Sequence, residues 1–202
     1  MSKILFMMLF LLVLPVARAG INIEPYLGYM SGTSELTFYG IPFEMSYKTP
    51  MIGGRLGYGM MGLSLGVDYS QSVSSFEWEQ EKPATTAVPD KMDYTNLGIY
   101  VGYKFPMMFR VWGTYFIKSE FEVATPHPGS NAGDKWTGAG YALGAGWTGF
   151  PLVALNLEYR MITFDEQTNA STGVVTKLPV AGILTKVENK EIMISLSLPL
   201  DF

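Results

Sequence analysis

The sequence predicts an all-β chain, an eight-stranded antiparallel up-and-down transmembrane β-barrel. Three observations carry this expectation. The segment 191–202 places Ile192, Ile194, Leu196, Leu198, Leu200 and Phe202 at every second position. Seven further segments alternate in the same way. The outward aromatics of these segments sort by strand direction into two levels. A period of two marks one face of a strand, and six large apolar groups on one face suit a strand that meets lipid. A soluble sandwich also makes such strands, but gives no reason for the sorting.

The N-terminus reads as an export signal. Met1-Ser2-Lys3 is a short basic start, and 4–17 is apolar apart from Pro15. Ala17-Arg18-Ala19 gives the small-x-small pattern that a signal peptidase cuts, so 1–19 is expected to be removed and Gly20 to begin the mature chain. The run is too short to cross a core of ~30 Å, which needs roughly 20 residues. No cysteine follows it, so lipoprotein anchoring is not expected. The chain has no cysteine anywhere, and stability must come from burial and hydrogen bonds. Without Lys3 and Arg18, 12 basic and 18 acidic residues remain, a formal charge of −6. That balance argues against nucleic acid as a partner. Residues 20–202 are of a length expected to form one domain.

The proposed outward faces follow in chain order. The first strand shows Ile21, Ile23, Leu27 and Tyr29; the second Ile52, Leu56 and Tyr58; the third Leu63, Leu65, Val67 and Tyr69. The fourth shows Leu97, Ile99, Val101, Tyr103 and Phe105; the fifth Val111, Tyr115 and Ile117; the sixth Tyr141, Leu143, Ala145 and Trp147. The seventh shows Val153, Leu155, Leu157 and Tyr159, and the eighth is the 191–202 segment. Connections near 60–61, 106–108 and 148–151 are tight. Those near 31–50, 72–92, 119–135 and 165–190 read as long polar loops. Short turns on one side and long loops on the other is the plan of an outer-membrane barrel, the short turns being periplasmic. Tyr29, Tyr69, Tyr115 and Tyr159 then form an upper girdle, and Tyr58, Phe105, Trp147 and Phe202 a lower one.

The opposite faces are polar or small. A barrel of eight strands is narrow enough for its own side chains to fill. The inward charges are nearly balanced: Arg55, Lys104, Arg110, Lys118 and Arg160 against Glu24, Asp68, Glu158 and Asp201. Charges withdrawn from water must pair or be hydrogen-bonded. A salt-bridged plug is the expectation, a conducting channel its alternative. The sixth strand offers Gly138, Gly140, Ala142, Gly144 and Gly146, which leave room for long neighbours.

On these residues the chain resembles the small bacterial outer-membrane β-barrels of the OmpA/OmpX transmembrane type. The resemblance rests on Ile23-Glu24-Pro25-Tyr26-Leu27-Gly28-Tyr29, on Gly53-Gly54-Arg55-Leu56-Gly57-Tyr58 and on the terminal Phe202. It implies that Leu198, Leu200 and Phe202 form the signal read by the barrel-insertion machinery. The Gly common a few residues upstream in similar barrels is missing here. No peptidoglycan-binding domain follows Phe202, unlike the two-domain members. The resemblance implies outer-membrane lipid and lipopolysaccharide as surroundings, and a monomer. Family members serve as adhesins, tethers, small pores, defence factors or lipid-modifying enzymes, and fold does not choose among them.

Enzyme signals are sparse. The single histidine, His127, stands in His127-Pro128-Gly129-Ser130-Asn131-Ala132-Gly133. This is similar to the His-x-Ser-Asn-Ala-Gly segment of lipid A deacylases, with one extra residue between His127 and Ser130. The bland reading is a polar turn in the third long loop. A barrel protease needs carboxylates near a histidine; Asp134, Asp165 and Glu166 are the candidates. No metal-ligand spacing or cofactor motif is present, and none is expected. The loops are more suggestive. The 75–82 stretch alternates aromatic and acidic residues, as a strand continuing above the membrane would. The 173–185 stretch is unusually apolar, either a partner surface or a hairpin packed on its neighbours; 36–43 has the same ambiguity. The expected role is structural or surface-interacting through these loops, with a narrow pore second and a lipid-modifying hydrolase third.

Overall fold

The computed structural model describes residues 19–82, 90–126, 131–181, 183–184 and 187–202. Residues 1–18 of the expected signal, and both His127 and Ser130, lie outside the described residues. The strands in chain order are β1 (Gly20–Phe38), β2 (Ile41–Met60), β3 (Leu63–Ser72), β4 (Phe76–Glu77), β5 (Glu79–Lys82), β6 (Lys91–Lys104), β7 (Phe109–Thr125), β8 (Lys135–Trp147), β9 (Ala154–Thr168), β10 (Val175–Lys177), β11 (Val187–Ser197) and β12 (Leu200–Asp201). Eight of them, β1, β2, β3, β6, β7, β8, β9 and β11, pair antiparallel with their neighbours in sequence order. The ring closes where β1 pairs β11, from Tyr26↔Ser197 to Glu35↔Glu188. Closure leaves no free edge in the membrane, where an unpaired backbone group would be costly.

The period of two decides which residues face lipid. Every outward residue named from the sequence is exposed, except Tyr103 and Val153, which are half-buried. Met61 and Gly62 both take positive φ, 55° and 84°, in a two-residue link between β2 and β3. That is the twist-matched geometry preferred for tight hairpins.

Two expectations are corrected. The stretch 31–50 is not a loop. β1 and β2 pair without interruption up to Phe38↔Ile41, across a two-residue turn at Tyr39-Gly40. Above the lipid the outer face meets water, so apolar alternation ends although strand pairing continues. Ser31 and Glu35 are exposed there, while Met30 and Ser34 stay buried. The stretch 72–92 contains β4 and β5, where the alternation of 75–82 predicts a strand, and 165–190 contains the end of β9, β10 and the start of β11. The second correction concerns Lys118, which does not face the lumen. The ladder shifts register between Phe116 and Ser119, so Ile117 and Lys118 both point outward. An extra residue of this kind is a β-bulge. Above it Ser119, Phe121 and Val123 point inward.

Candidate functional site

The lumen is filled in two layers. The lower layer is ionic. Arg55 on β2 reaches Asp68 on β3 at 2.9 Å, Glu158 on β9 at 2.7 Å and Glu24 on β1 at 3.5 Å. Arg160 donates to Glu158 at 2.6 Å. Arg110 grips both oxygens of Glu24, one of them at 2.5 Å, and also donates to Asn156 and Ser197. Tyr26 donates to Asp68 at 2.8 Å and Trp112 to Glu158 at 2.6 Å. The Arg55 guanidinium stands 5.0 Å from the Tyr26 ring and 4.3 Å from the Trp112 ring. Three guanidinium groups thus meet three carboxylates with their remaining donors and acceptors largely filled. Burial of charge is tolerated on those terms.

β8 makes this possible. Trp112 packs over Gly144, Arg110 over Gly146, and Ile162 against Gly140. A side chain on any of these glycines would occupy the space of its large neighbour.

Above the ions sits Glu191, which the sequence reading missed. It is fully buried and accepts from Tyr47 at 2.6 Å and Tyr94 at 2.8 Å through the same oxygen. Its other oxygen has no hydrogen-bond partner, and among the described residues no cation pairs with it. Asn189 donates to Tyr47 at 3.2 Å and accepts from Ser34. The upper layer is apolar and aromatic. Tyr94 stacks on Phe121 with centroids 4.2 Å apart, and Phe121 meets Phe164 at 4.9 Å. Tyr47 stacks on Phe76 of β4 and on Trp78. Met30, Met51, Met92 and Leu178 complete the cluster. This is the interior of a soluble barrel, set on top of a membrane one.

Some placements differ from the charge list read from sequence. Glu24, Arg55, Asp68, Glu158 and Arg160 are buried together and Arg110 is nearly so. Lys104 is not part of the buried network; it pairs with Asp201 at 3.2 Å at the short-turn rim, both more than half exposed. The tyrosines expected in the upper girdle, Tyr29, Tyr69, Tyr115 and Tyr159, are exposed, as are Tyr58, Phe105, Trp147 and Phe202 at the other end. Leu198 and Leu200 are exposed beside them.

The long-loop end is tied into one crown. Asp134 is buried and accepts from the amides of Asn131 at 3.1 Å and Ala170 at 2.7 Å. It therefore bridges the β7–β8 and β9–β10 connections rather than standing free as a protease carboxylate. The Tyr39 amide donates to Ile183 at 2.7 Å, and Phe38 bridges Leu184. Phe38, Tyr39, Ile41, Val174, Val175 and Ile183 remain exposed on this crown. On β7 and β8, above the tyrosines, Lys118, Glu120, Glu122 and Lys135 form a surface ion cluster. Burial pushes the Glu120 carboxyl up, but hydrogen bonds from Lys118 and Lys135 outweigh it and hold the group below its ordinary value. Among the described residues no group of His, Asp and Glu is arranged to hold a metal ion.

No protein-family model matches the chain, and no curated protein matches it significantly. Solved structures do share its architecture. The outer membrane protein AlkL, solved in lipid bilayers, superposes with a TM-score of 0.56 at 12% identity, covering 91% of this chain and 91% of AlkL. OprG from Pseudomonas aeruginosa gives 0.52 at 11% identity, covering 91% and 97%. Ail, the attachment invasion locus protein of Yersinia pestis, gives 0.52 at 9% identity, covering 88% and 99%. The chain has the fold of the small outer-membrane β-barrels. At such identities the likeness is one of architecture, and the activity of this barrel has to be argued from its own residues.

Proposed function

We propose that this chain is an integral outer-membrane barrel with a non-enzymatic, structural or surface-interacting role, acting through its long-loop crown. The observation that carries the reading is the doubly filled lumen. A solute would have to break the ionic layer around Arg55 and then cross the aromatic layer around Phe121. A hydrogen-bonded crown with exposed Phe38, Tyr39 and Ile41 suits contact with a partner better than transport. The neighbour Ail is an attachment invasion locus protein, solved with the heparin analogue sucrose octasulfate; an attachment role here is in keeping with that. In this reading residues 1–19 direct export, and Leu198, Leu200 and Phe202 present the last strand to the insertion machinery.

Two recordings test it together. The purified barrel in planar bilayers should give no discrete conductance steps. Cells displaying the Tyr39→Ser, Ile41→Ser double variant should lose adherence to surfaces that cells with the native barrel hold. Reproducible single-channel steps from the native barrel would move the reading to a narrow pore.

A further inference from the structure

We propose that the short-turn mouth of the barrel is a binding site for a phosphate-class anion, centred on Lys104 and Arg110. The mouth holds a cavity of about 730 Å³, walled by Lys104, Arg110, Trp112, Tyr100 and Ser64 and closed above by Arg55 and Glu24. That volume lies in the range of small-molecule sites, roughly 300–1,000 Å³. Lys104 of β6 and Arg110 of β7 are directly opposed in the ladder, and both line the cavity. Like charges placed opposite one another on neighbouring strands repel. Acids from the opposite wall hold them: Asp201 accepts from Lys104, and Glu24 takes Arg110 in a two-pronged pair.

The two holds are unequal. Glu24 is buried and fixed by Arg55 as well. The Lys104–Asp201 pair is more than half exposed on both sides, and an exposed pair is worth little. The cavity wall carries Arg55, Lys104 and Arg110 against Glu24 and Asp201, but Arg55 is also answered by Asp68 and Glu158, which leaves Lys104 as the loosely held cation. Lys104 has three donors and one described partner, so an incoming oxyanion can take it with small loss. A phosphate offers several acceptor oxygens to the Lys104 ammonium, while the Arg110 guanidinium, committed to Glu24, Asn156 and Ser197, adds its charge alongside. The Tyr100 hydroxyl, which donates to Asn22 at 3.4 Å, and the Ser64 hydroxyl line the deeper wall. Met60, Met108 and Phe202 border the cavity and are exposed. A phosphate carried on an acyl stem would find an apolar seat there. The source is then either an inner-leaflet lipid headgroup, which rests on the membrane orientation proposed above, or a free phosphate.

The test uses the protein purified from membranes in octyl glucoside, which carries no phosphate. Amide shifts of Gly62, Lys104 and Arg110 are followed during titration with inorganic phosphate and, separately, with dihexanoyl phosphatidylglycerol. Saturable shifts are expected at these three positions. Saturation by inorganic phosphate assigns a free anion; saturation by the lipid alone assigns a headgroup. Lys104→Gln should weaken binding by about tenfold or more, the loss of one charge-assisted hydrogen bond. Asp201→Asn should tighten it, and remains informative should Lys104→Gln not fold. Lys190→Gln, at the opposite end, should bind as the native protein does. Absence of saturable shifts with both ligands overturns the site, as does undiminished binding by Lys104→Gln. Neither result bears on adherence by the crown, which the bilayer and adherence recordings address separately.

Discussion

The indole of Trp112 lies flat on Gly144, filling the space a Cβ would take. From that position it donates to Glu158 and covers Arg55. Gly144→Ala should lift the ring off both and cost about 1–3 kcal/mol, as overpacking does. Gly113→Ala is the control, since a Cβ there would make ordinary contacts, 3.7 Å from Leu143. Urea unfolding followed by band shift on unheated gels separates the two; equal midpoints would refute the packing argument.

Arg55 is the hub of three carboxylates. Its removal leaves Asp68 without its cation and Glu24 and Glu158 with one fewer each. Arg55→Ala should therefore cost about 3–5 kcal/mol, the range for breaking a buried ion pair. A loss below about 1 kcal/mol in the same assay would mean that water or neighbours replace the guanidinium.

Glu191 separates charge from shape. Glu191→Gln keeps an acceptor for Tyr47 and Tyr94 and removes a buried charge that has no cation in direct contact, Arg160 acting on it only at longer range. It should be neutral or mildly stabilising. Glu191→Ala strands both hydroxyls and should cost about 1–3 kcal/mol for each buried group left unsatisfied. Equal loss in both variants would show that the carboxylate itself is required.

Phe121 touches Tyr47, Phe76, Trp78, Tyr94 and Phe164. Phe121→Ala should cost about 3–5 kcal/mol, and faster amide exchange should be confined to the crown half. Exchange spreading equally to the ionic half would contradict two separate layers.

The surface cluster on β7 and β8 predicts a pH dependence. Glu120 has its carboxyl held below the ordinary value, so its contribution is complete above that value and vanishes as pH falls through the depressed one. Lys135 is raised, chiefly by the hydrogen bonds it donates to Glu122 and Glu120, so its share is complete below the ordinary lysine value and is lost as pH rises through the elevated one. Amides near Glu120 and Lys135 should exchange faster, relative to intrinsic rates, below the usual carboxylate range than at neutral pH. The effect should be small because the pair is partly exposed. Protection unchanged on acidification would remove the cluster from the account.

The lipid-facing half of the barrel was legible because lipid demands apolar groups at every second position. Ile192 to Phe202 and its seven counterparts carry that demand openly. Most of the crown half was not, since water accepts Ser31 and Glu35 on the outside; only 75–82, alternating aromatic and acidic residues, announces strand there, and β4 and β5 fall within it. The crown's apolar residues, Tyr47, Phe121 and Phe164, sit on the inner face, where a membrane barrel is read as polar. Lys118 was assigned inward by counting twos through a bulge that no residue type announces. Glu191 reads in the sequence as the edge of a strand, because the visible pattern begins at its neighbour Ile192. Arg55, Glu24, Asp68, Glu158 and Arg160 could be grouped from sequence as facing residues, but the cation–π contacts with Tyr26 and Trp112 needed the fold.

Asp134 receives one amide from its own loop and one from the next. Whatever recognises the crown thus meets a surface assembled from segments far apart in the chain. In the orientation proposed above, antibodies raised against a linear peptide from either segment should bind the unfolded chain better than the native crown. Serology on intact cells would then call for the folded barrel as immunogen.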